Sequence, residues 1–134
     1  MTGTTECSAA AAPALSELVT DFLDQVWNQG RTDLADRYVA ADLIQHNPCL
    51  PDGREPLIQL IDGLRQRFPL ARFLIRRMAA QGDLVFAHSL FTTGPDDRGI
   101  AVIDVFRIEH GLIAEHWDLR ESVPDATVGG RDIL

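Results

Sequence analysis

The apolar residues of this chain change their spacing once, at Pro69, and the change restricts the folds that are open to it. Before Pro69 they follow helical spacing, and after it they form four segments that are typical of β-strands. Short polar turns separate these segments, at Gly82-Asp83, at residues 94–97 and at residues 109–111. Because short turns join antiparallel neighbours, this half of the chain predicts an antiparallel meander, with strands at residues 72–81, 84–93, 99–108 and 112–121.

Three helices and one brief strand are predicted before Pro69. The first helix ends at Gly30, a residue that suits the left-handed position after a helix. Thr32 is expected to cap a shorter second helix that includes Tyr38, and Pro56 suits the first turn of the third helix. Residues 41–46 predict the brief strand. The first helix is indicated by an apolar stripe of Leu15, Leu18, Val19, Phe22 and Val26.

Helices followed by an antiparallel sheet are typical of the α+β class, with the helices packed on one face of the sheet. We expect one domain at residues 14–124, because 134 residues is a common size for a single domain. Residues 1–13 are rich in Ala, Thr and Ser and are expected to be disordered. Residues 125–134 are expected to form a tail that is either loose or laid over the mouth of a pocket.

Charge and composition argue against several classes of partner. The net charge is −8, whereas binding to a phosphate backbone needs clustered Lys and Arg. No apolar run approaches the ~20 residues of a membrane-spanning helix, and the N-terminus lacks the basic residues of a signal peptide. Cys7 and Cys49 lie in a predicted tail and a predicted loop, where a mutual disulfide is not expected. We therefore expect a cytoplasmic protein that binds neither nucleic acid nor membrane.

Ionisable side chains lie within the apolar segments of the predicted sheet. Asp104 and His88 each have apolar neighbours, and a carboxylate in such a place is costly unless it is paired or functional. Because side chains alternate across a strand, His116 and Asp118 share one face of the last strand. Simple register about the turn at residues 109–111 would place Asp104 across the ladder from them. The opposite face of the last strand is expected to carry Ile113, Glu115, Trp117 and Leu119, and one face of the second predicted strand to carry Leu84, Phe86, His88 and Leu90.

Such a cluster predicts acid–base chemistry on a small substrate. A carboxyl group in an apolar cavity has a raised pKa, so it can take up a proton near neutral pH and return it. A neighbouring His can tune that carboxyl group or donate to a developing enolate oxygen. The chemistry that follows is proton abstraction next to a carbonyl, leading to isomerisation, aldol closure or elimination. The expected substrate is a small, hydrophobic, carbonyl-containing molecule.

Two motifs resemble those of a known family. The segment IDVFRIEHGLIAEHWDLRESVP, at residues 103–124, resembles the signature of SnoaL-like proteins, which belong to the nuclear transport factor two-like superfamily and include polyketide cyclases. The run IQHNP, at residues 44–48, is similar to a motif of the branch known for aldol condensation. The resemblance covers residues 15–124 and includes the order of helices followed by a meander.

The resemblance implies a cone-shaped α+β barrel that forms a homodimer through the outer face of its sheet and needs no cofactor. In the family's polyketide cyclases an aspartate on the last long strand is the general acid/base of an intramolecular aldol closure. Its position in the run EHWD gives this role to Asp118. The chain departs from the cyclase pattern at Asp104, where a His is expected.

The candidate catalytic residues are therefore Asp118, Asp104 and His116, and no metal is expected although the spacing His116-x-Asp118 is compatible with one. Structural alternatives remain open for each of them: Asp118 could pair with Arg120 or Arg107, and Asp104 could be a structural partner of His116. The candidate substrate-binding residues, which could equally be packing, turn or dimer residues, are His46, Asn47, His88, Phe86, Phe106, Tyr38 and Trp27.

Two other functions are compatible with the sequence. One is a non-catalytic, dimeric domain that binds a small ligand, which a cavity filled by aromatic side chains would favour. The other is epoxide hydrolysis by Asp104, Arg120 and Asp118, which resembles a reaction of the same superfamily. Such hydrolases have an Arg two residues before an Asp on one strand, and Val102 occupies that position here.

Overall fold

The computed structural model describes residues 14–134, so the expectation of disorder at residues 1–13 and the predicted state of Cys7 lie outside the described residues. Helix α1 covers residues 14–28 and ends in a π-helical segment, Phe22–Asn28. A 3₁₀ helix, Thr32–Arg37, and helix α2, Arg54–Arg67, follow along the chain. The strands are β1 Val39–Gln45, β2 Arg72–Gln81, β3 Leu84–Thr92, β4 Ile100–Glu109 and β5 Leu112–Ser122.

The five strands form one open, curved sheet in the order β1-β5-β4-β3-β2. Strands β2 to β5 pair with their neighbours in antiparallel fashion, which confirms the predicted meander. Strand β1 adds to the edge in parallel with β5, so the sheet is mixed and is not antiparallel throughout. The α+β class with helices on one face is confirmed, but the sheet does not close into a barrel.

Helices α1 and α2 bury their apolar faces against the sheet. Val19, Phe22 and Val26 of the predicted stripe are buried, and Phe22 meets Phe106 of β4 edge to face at 6.1 Å between ring centroids. The end of α1 is tied to β2 by Asn28, whose amide donates to the carbonyl of Phe73 at 3.0 Å and accepts from its N–H at 2.7 Å. The apolar stripe therefore predicts both the helix and the face that it buries.

The segment after α1 differs from its prediction. Gly30 has a φ of +73°, as expected for the residue that ends α1. Thr32, however, is the first residue of the 3₁₀ helix and does not cap it, because its hydroxyl donates to Asp62 of α2 at 2.8 Å. Tyr38 lies outside the helix because its carbonyl accepts the N–H of Ile113 in β5 at 2.7 Å. Pairing with β5 thus shortens the helix and starts β1 earlier than predicted.

The register of the ladder decides which side chains face the helices. Asp104 pairs with Asp118, within the stretch around His116 and Asp118 that the sequence predicts to lie across the ladder. A shift in register near that turn pairs Ile108 with Ile113 and leaves Ala114 without a partner. Ile113 therefore lies buried on the core face, and the prediction that it shares the outer face with Glu115 is wrong.

Strand β3 presents the opposite face from the one predicted. Ala87 pairs with Asp104, and directly paired residues of neighbouring strands share a face of the sheet. Val85 and Ala87 therefore face the core, while Phe86 and His88 face outward. The prediction of Phe86 and His88 as substrate contacts is wrong for this reason.

The C-terminal residues 125–134 lie against the outer face of the sheet. Arg77 of β2 donates to the backbone carbonyl of Leu134 at 3.0 Å, and Ile133 lines a shallow outer cavity with His88 and Leu119. The tail therefore does not cover the cavity on the core face. Among the described residues, no helix is long and apolar enough to cross a membrane.

Replacing Ile61 with Ala should lower the free energy of unfolding by about 2–5 kcal/mol, because Ile61 is fully buried and the smaller side chain leaves a cavity in the core. Urea denaturation followed by circular dichroism measures this loss. The control is Gln59→Ala on the exposed side of α2, for which a change below about 0.5 kcal/mol is expected. Equal effects of the two substitutions would contradict the packing of α2.

Candidate active site

A cavity of about 380 Å³ lies between the helices and the core face of the sheet. Its volume is within the range of sites that hold a small organic molecule. Most of its lining is apolar, and its polar side chains come from β1 and the loop after it, from Thr93 directly after β3, from β4 and from β5. The apolar lining includes Phe22, Leu23, Trp27, Leu57, Phe73, Phe91, Phe106 and Ile113.

Asp104 and His116 form a hydrogen-bonded pair on one wall of this cavity. The distance from His116 Nε2 to Asp104 Oδ1 is 2.8 Å, and the ring of His116 is stacked on Phe106 with the centroids 5.0 Å apart. Asp104 is 4% exposed, and its Oδ2 is buried without a hydrogen-bond partner among the described residues. Burial raises the pKa of Asp104 above its ordinary value, the bond to His116 opposes that rise, and the charge of Asp118 adds to it.

Asp118 has a different environment, although it is the direct partner of Asp104 in the ladder. The side-chain amide of Asn47 donates to both carboxylate oxygens of Asp118, at 3.2 and 3.0 Å. Asn47 is held in this orientation because its Oδ1 accepts the backbone N–H of Cys49 at 2.8 Å. The carboxyl group of Asp118 is therefore held by an amide whose own orientation is fixed by the backbone.

Gln45 completes the polar wall, although it is not among the site residues predicted from the sequence. Its Oε1 accepts the backbone N–H of Asn47 at 3.2 Å and lies 2.7 Å from His116 Nδ1. The signal that could have revealed Gln45 is the alternation of a strand, because the run Gln45-His46-Asn47 places its first and third side chains on one side.

The same alternation places His46 outside the cavity. Its ring is stacked on Trp117 with the centroids 4.8 Å apart, and its Nε2 donates to Glu115 at 2.7 Å. Glu115 also accepts from Arg107 at 2.9 Å, and these two bonds hold the pKa of Glu115 below its ordinary value. His46 therefore belongs to the outer face, and its prediction as a substrate contact is wrong.

The predicted site residues thus divide into two groups. Tyr38 packs against Phe22 with the ring centroids 6.2 Å apart and fills the core beside the cavity without lining it. The predicted residues that line the cavity are Asp104, His116, Asp118, Asn47, Phe106 and Trp27, whereas His46, Phe86, His88 and Tyr38 do not.

The ligand atoms of Asp104, His116 and Asp118 lie within 4.8 Å of one another, a spacing that could surround a cation. A cation at this place would need the lone pair of His116 Nε2, which the hydrogen bond to Asp104 engages. Arg120 also lines the cavity, but neither carboxylate is hydrogen-bonded to it in the part of the chain that the structure describes. The contact between Asp104 and His116 is thus suited to sharing a proton between the two side chains.

Comparison with known proteins agrees with this architecture. A model of the SnoaL-like domain matches residues 19–116, which is more than half of the chain. The chain belongs to the SnoaL-like family. The matched segment of this SnoaL-like protein includes Gln45, Asn47, Asp104 and His116 and stops short of Asp118. A search of curated proteins finds no match.

Several solved structures share the fold of this SnoaL-like protein. TsrD from Streptomyces laurentii is 23% identical with a TM-score of 0.68, over 81% of this chain and 89% of that one. A proposed polyketide cyclase from Bacillus cereus is 24% identical with a TM-score of 0.70, over 81% and 74% of the two chains. A SnoaL-like polyketide cyclase from Agrobacterium tumefaciens is 14% identical with a TM-score of 0.67, over 80% and 91%. At these identities the likeness shows the fold.

The raised pKa of Asp104 predicts a stability that falls as the pH rises from about 4 toward 7. Below the pKa of the unfolded chain, Asp104 is protonated in both states. As the pH rises above the pKa of the unfolded chain, Asp104 releases its proton in the unfolded chain but keeps it in the folded one. The folded state therefore loses relative stability until the pH passes the pKa of the folded state. The difference in unfolding free energy between wild type and Asp104→Asn, from urea denaturation at a series of pH values, should therefore decrease with increasing pH.

A matched control for the loss of one carboxylate is Asp36→Asn, at an exposed position on the 3₁₀ helix. Parallel pH profiles of wild type and Asp104→Asn would contradict the raised pKa of Asp104.

Proposed function

We propose that this SnoaL-like protein is an enzyme that moves a proton on a small, hydrophobic, carbonyl-containing substrate, in a cyclisation, aldol or isomerisation reaction. One observation carries the proposal. Two carboxyl groups face one apolar cavity from opposite positions of a ladder, and they have different partners: Asp104 is bonded to an imidazole, whereas Asp118 accepts from an amide. Pairs of titratable groups that differ in this way divide the roles of acid and base.

Asp118 is the proposed base. The amide of Asn47 donates to both oxygens of its carboxyl group, and the apolar lining of the cavity suits the hydrocarbon part of a ketone. In the proposed step, Asp118 takes a proton from the carbon next to the substrate carbonyl, and the electron pair of that C–H bond passes into an enolate. In an aldol closure the enolate then attacks a second carbonyl of the substrate, and Asp118 returns its proton to the alkoxide oxygen that this attack creates. In an isomerisation Asp118 returns the same proton to another carbon of the enolate.

Asp104, coupled to His116, is the proposed acid. Its burial favours the protonated carboxyl group, and a proton shared with His116 is available to the enolate oxygen as negative charge develops there. The oxygen without a partner, Asp104 Oδ2, is a buried polar atom that a polar group of the substrate would satisfy. The names of two structures that share the fold, each a SnoaL-like or proposed polyketide cyclase, support the same class of chemistry.

The alternatives receive less support. A cavity filled by aromatic side chains would favour a binding domain without activity, but Phe86 and Trp117 lie outside the cavity and leave it open to a ligand. Epoxide hydrolysis would need Arg120 between the two carboxylates. In the described residues Asp104 is instead bonded to His116 and Asp118 to Asn47.

Replacing Asp118 with Asn should reduce turnover by about 10²- to 10⁴-fold, because the amide cannot accept the substrate proton. Exchange of α-protons in D₂O, followed by NMR on a panel of hydrophobic ketones such as 1-tetralone, measures proton abstraction without knowledge of the natural substrate. The control is Glu121→Gln, which neutralises an exposed carboxylate on the same strand. Wild-type exchange rates in Asp118→Asn would contradict the role of Asp118, and ketones that bind without any exchange would favour the binding domain.

For the quaternary state we propose a homodimer formed through the outer face of the sheet. Large apolar side chains are exposed there, among them Phe86, Ile103 and Leu119, and Leu119 is 76% exposed. An exposed apolar patch of this kind marks an interaction surface.

Replacing Ile103 with Glu should therefore produce a monomer, because it places a charge in the centre of the proposed interface. Size-exclusion chromatography with light scattering measures the mass in solution. Gln59→Glu adds the same charge on helix α2, away from the sheet, and should leave the dimer intact. A wild-type protein that is monomeric at all concentrations tested would contradict the proposed dimer.

A further inference from the structure

We infer that Gln45 is a positioning residue that keeps a proton on His116 Nδ1, so that His116 Nε2 remains free to share a second proton with Asp104. The inference rests on the proposed acid–base function and adds a residue to it. Gln45 does not touch the reacting atoms in this assignment. It acts through the tautomer of His116.

The orientation of the Gln45 amide follows from its neighbour. The backbone N–H of Asn47 lies 3.2 Å from Gln45 Oε1, and a backbone N–H can only donate. The oxygen must therefore face Asn47, since a rotated amide would place two donors against each other. The same oxygen, Gln45 Oε1, is the atom that faces His116 Nδ1.

The tautomer of His116 follows from that oxygen. Gln45 Oε1 lies 2.7 Å from His116 Nδ1, and a carbonyl oxygen can only accept, so Nδ1 carries a proton. In the opposite neutral tautomer, the lone pair of Nδ1 would point at the lone pairs of Gln45. Gln45 therefore disfavours that tautomer and leaves Nε2, 2.8 Å from Asp104 Oδ1, to accept the Asp104 proton or to hold it.

Counting protons shows the consequence for the Asp104–His116 pair. With Nδ1 protonated, the bond between Nε2 and Oδ1 contains one further proton, which lies on Asp104 or on the ring. Without Gln45, a ring protonated only at Nε2 becomes accessible, and this state donates to an ionised Asp104 with one proton fewer in the pair. Gln45 thus keeps a transferable proton in the site.

The position of Gln45 is set by the backbone. Its own N–H donates to Asp52 at 2.8 Å, and the next N–H, of His46, donates to the carbonyl of His116 at 2.9 Å. The charged or titratable groups that line the cavity beside the ring of His116 are Asp104, Asp118, Arg120 and Cys49, while α1 and α2 contribute only apolar side chains. Gln45 is therefore the neutral group that selects the tautomer.

Long-range ¹H–¹⁵N NMR correlation of the imidazole rings tests the inference without a substrate. The chain has 4 His residues, so His116→Gln identifies the signals of His116 and the other three rings are internal references. Wild type should show His116 protonated at Nδ1 at neutral pH. Gln45→Met, which keeps the length of the side chain and removes the oxygen, should show a shift of the population toward the Nε2-protonated tautomer.

Two further variants make the result specific. Gln45→Glu keeps an acceptor oxygen and should keep the Nδ1 proton, and Gln59→Met makes the same change as Gln45→Met on the exposed side of α2 and should leave all rings unchanged. A wild-type His116 that is protonated at Nε2 and not at Nδ1, or an unchanged tautomer in Gln45→Met, would overturn the inference. If Gln45→Met does not fold, Gln45→Asn, which withdraws the oxygen by one methylene, has the same expected and contradicting outcomes.

Kinetics then separate this inference from the proposed function. On a ketone that the wild type exchanges, Gln45→Met should lower kcat by about 10- to 100-fold with little change in KM, as for other residues that orient a functional His. A purely structural role would not couple the loss of kcat to the change of tautomer. Full activity in Asp118→Asn would refute the proposed function, whereas the NMR result for His116 would stand or fall by itself.

Discussion

The site depends on the parallel pairing of β1 with β5 at the edge of the sheet. The N–H of His46 donates to the carbonyl of His116 at 2.9 Å, and this bond brings residues 45–47 alongside the candidate site residues His116 and Asp118 of β5. Gln45 then reaches His116, and Asn47 reaches Asp118. Strand β5 by itself offers neither residue a partner that fixes its orientation. The edge strand and the loop after it therefore orient the side chains of His116 and Asp118.

The placement of Asp104 opposite Asp118 creates a constraint that the fold must meet. Like charges directly opposite each other in a ladder are destabilising, and burial makes a second ionised carboxylate more costly still. The structure meets this constraint by giving the two groups different partners: an amide for Asp118 and an imidazole for Asp104. A proton retained on the Asp104–His116 pair removes the repulsion. The arrangement that lets the fold accommodate two facing carboxyl groups is therefore the same one on which the proposed division into acid and base rests.

Sequence alone predicted the meander and the approach of Asp104 to the region of His116 and Asp118, because a short turn at residues 109–111 restricts the register between β4 and β5. The exact pairing of Asp104 with Asp118 depends on the register shift between Arg107 and Ile108. The longer connection at residues 93–99 does not fix register in this way, so the face of His88 was predicted wrongly. A strand before the third helix was predicted, but its parallel pairing with β5 has no local signal in the sequence, because the two strands are distant in the chain. The contact between Gln45 and His116 depends on that pairing and could not be predicted without it.

The two motifs that connect the chain to its family have a structural role as well as a chemical one. On the outer face, His46 is stacked on Trp117 and bonded to Glu115, so the same short segments hold β1 to β5 from the side opposite the cavity. The outward-facing residues of the two motifs, His46 in one and Glu115 and Trp117 in the other, thus stabilise the edge of the sheet, whatever reaction the cavity supports. A match to these motifs therefore identifies the edge and the fold before it identifies any chemistry. The residues that can distinguish one reaction from another are the inward-facing ones. Asp104 is the most unusual of them, because it is a buried carboxyl group with one oxygen that has no hydrogen-bond partner in the described part of the chain.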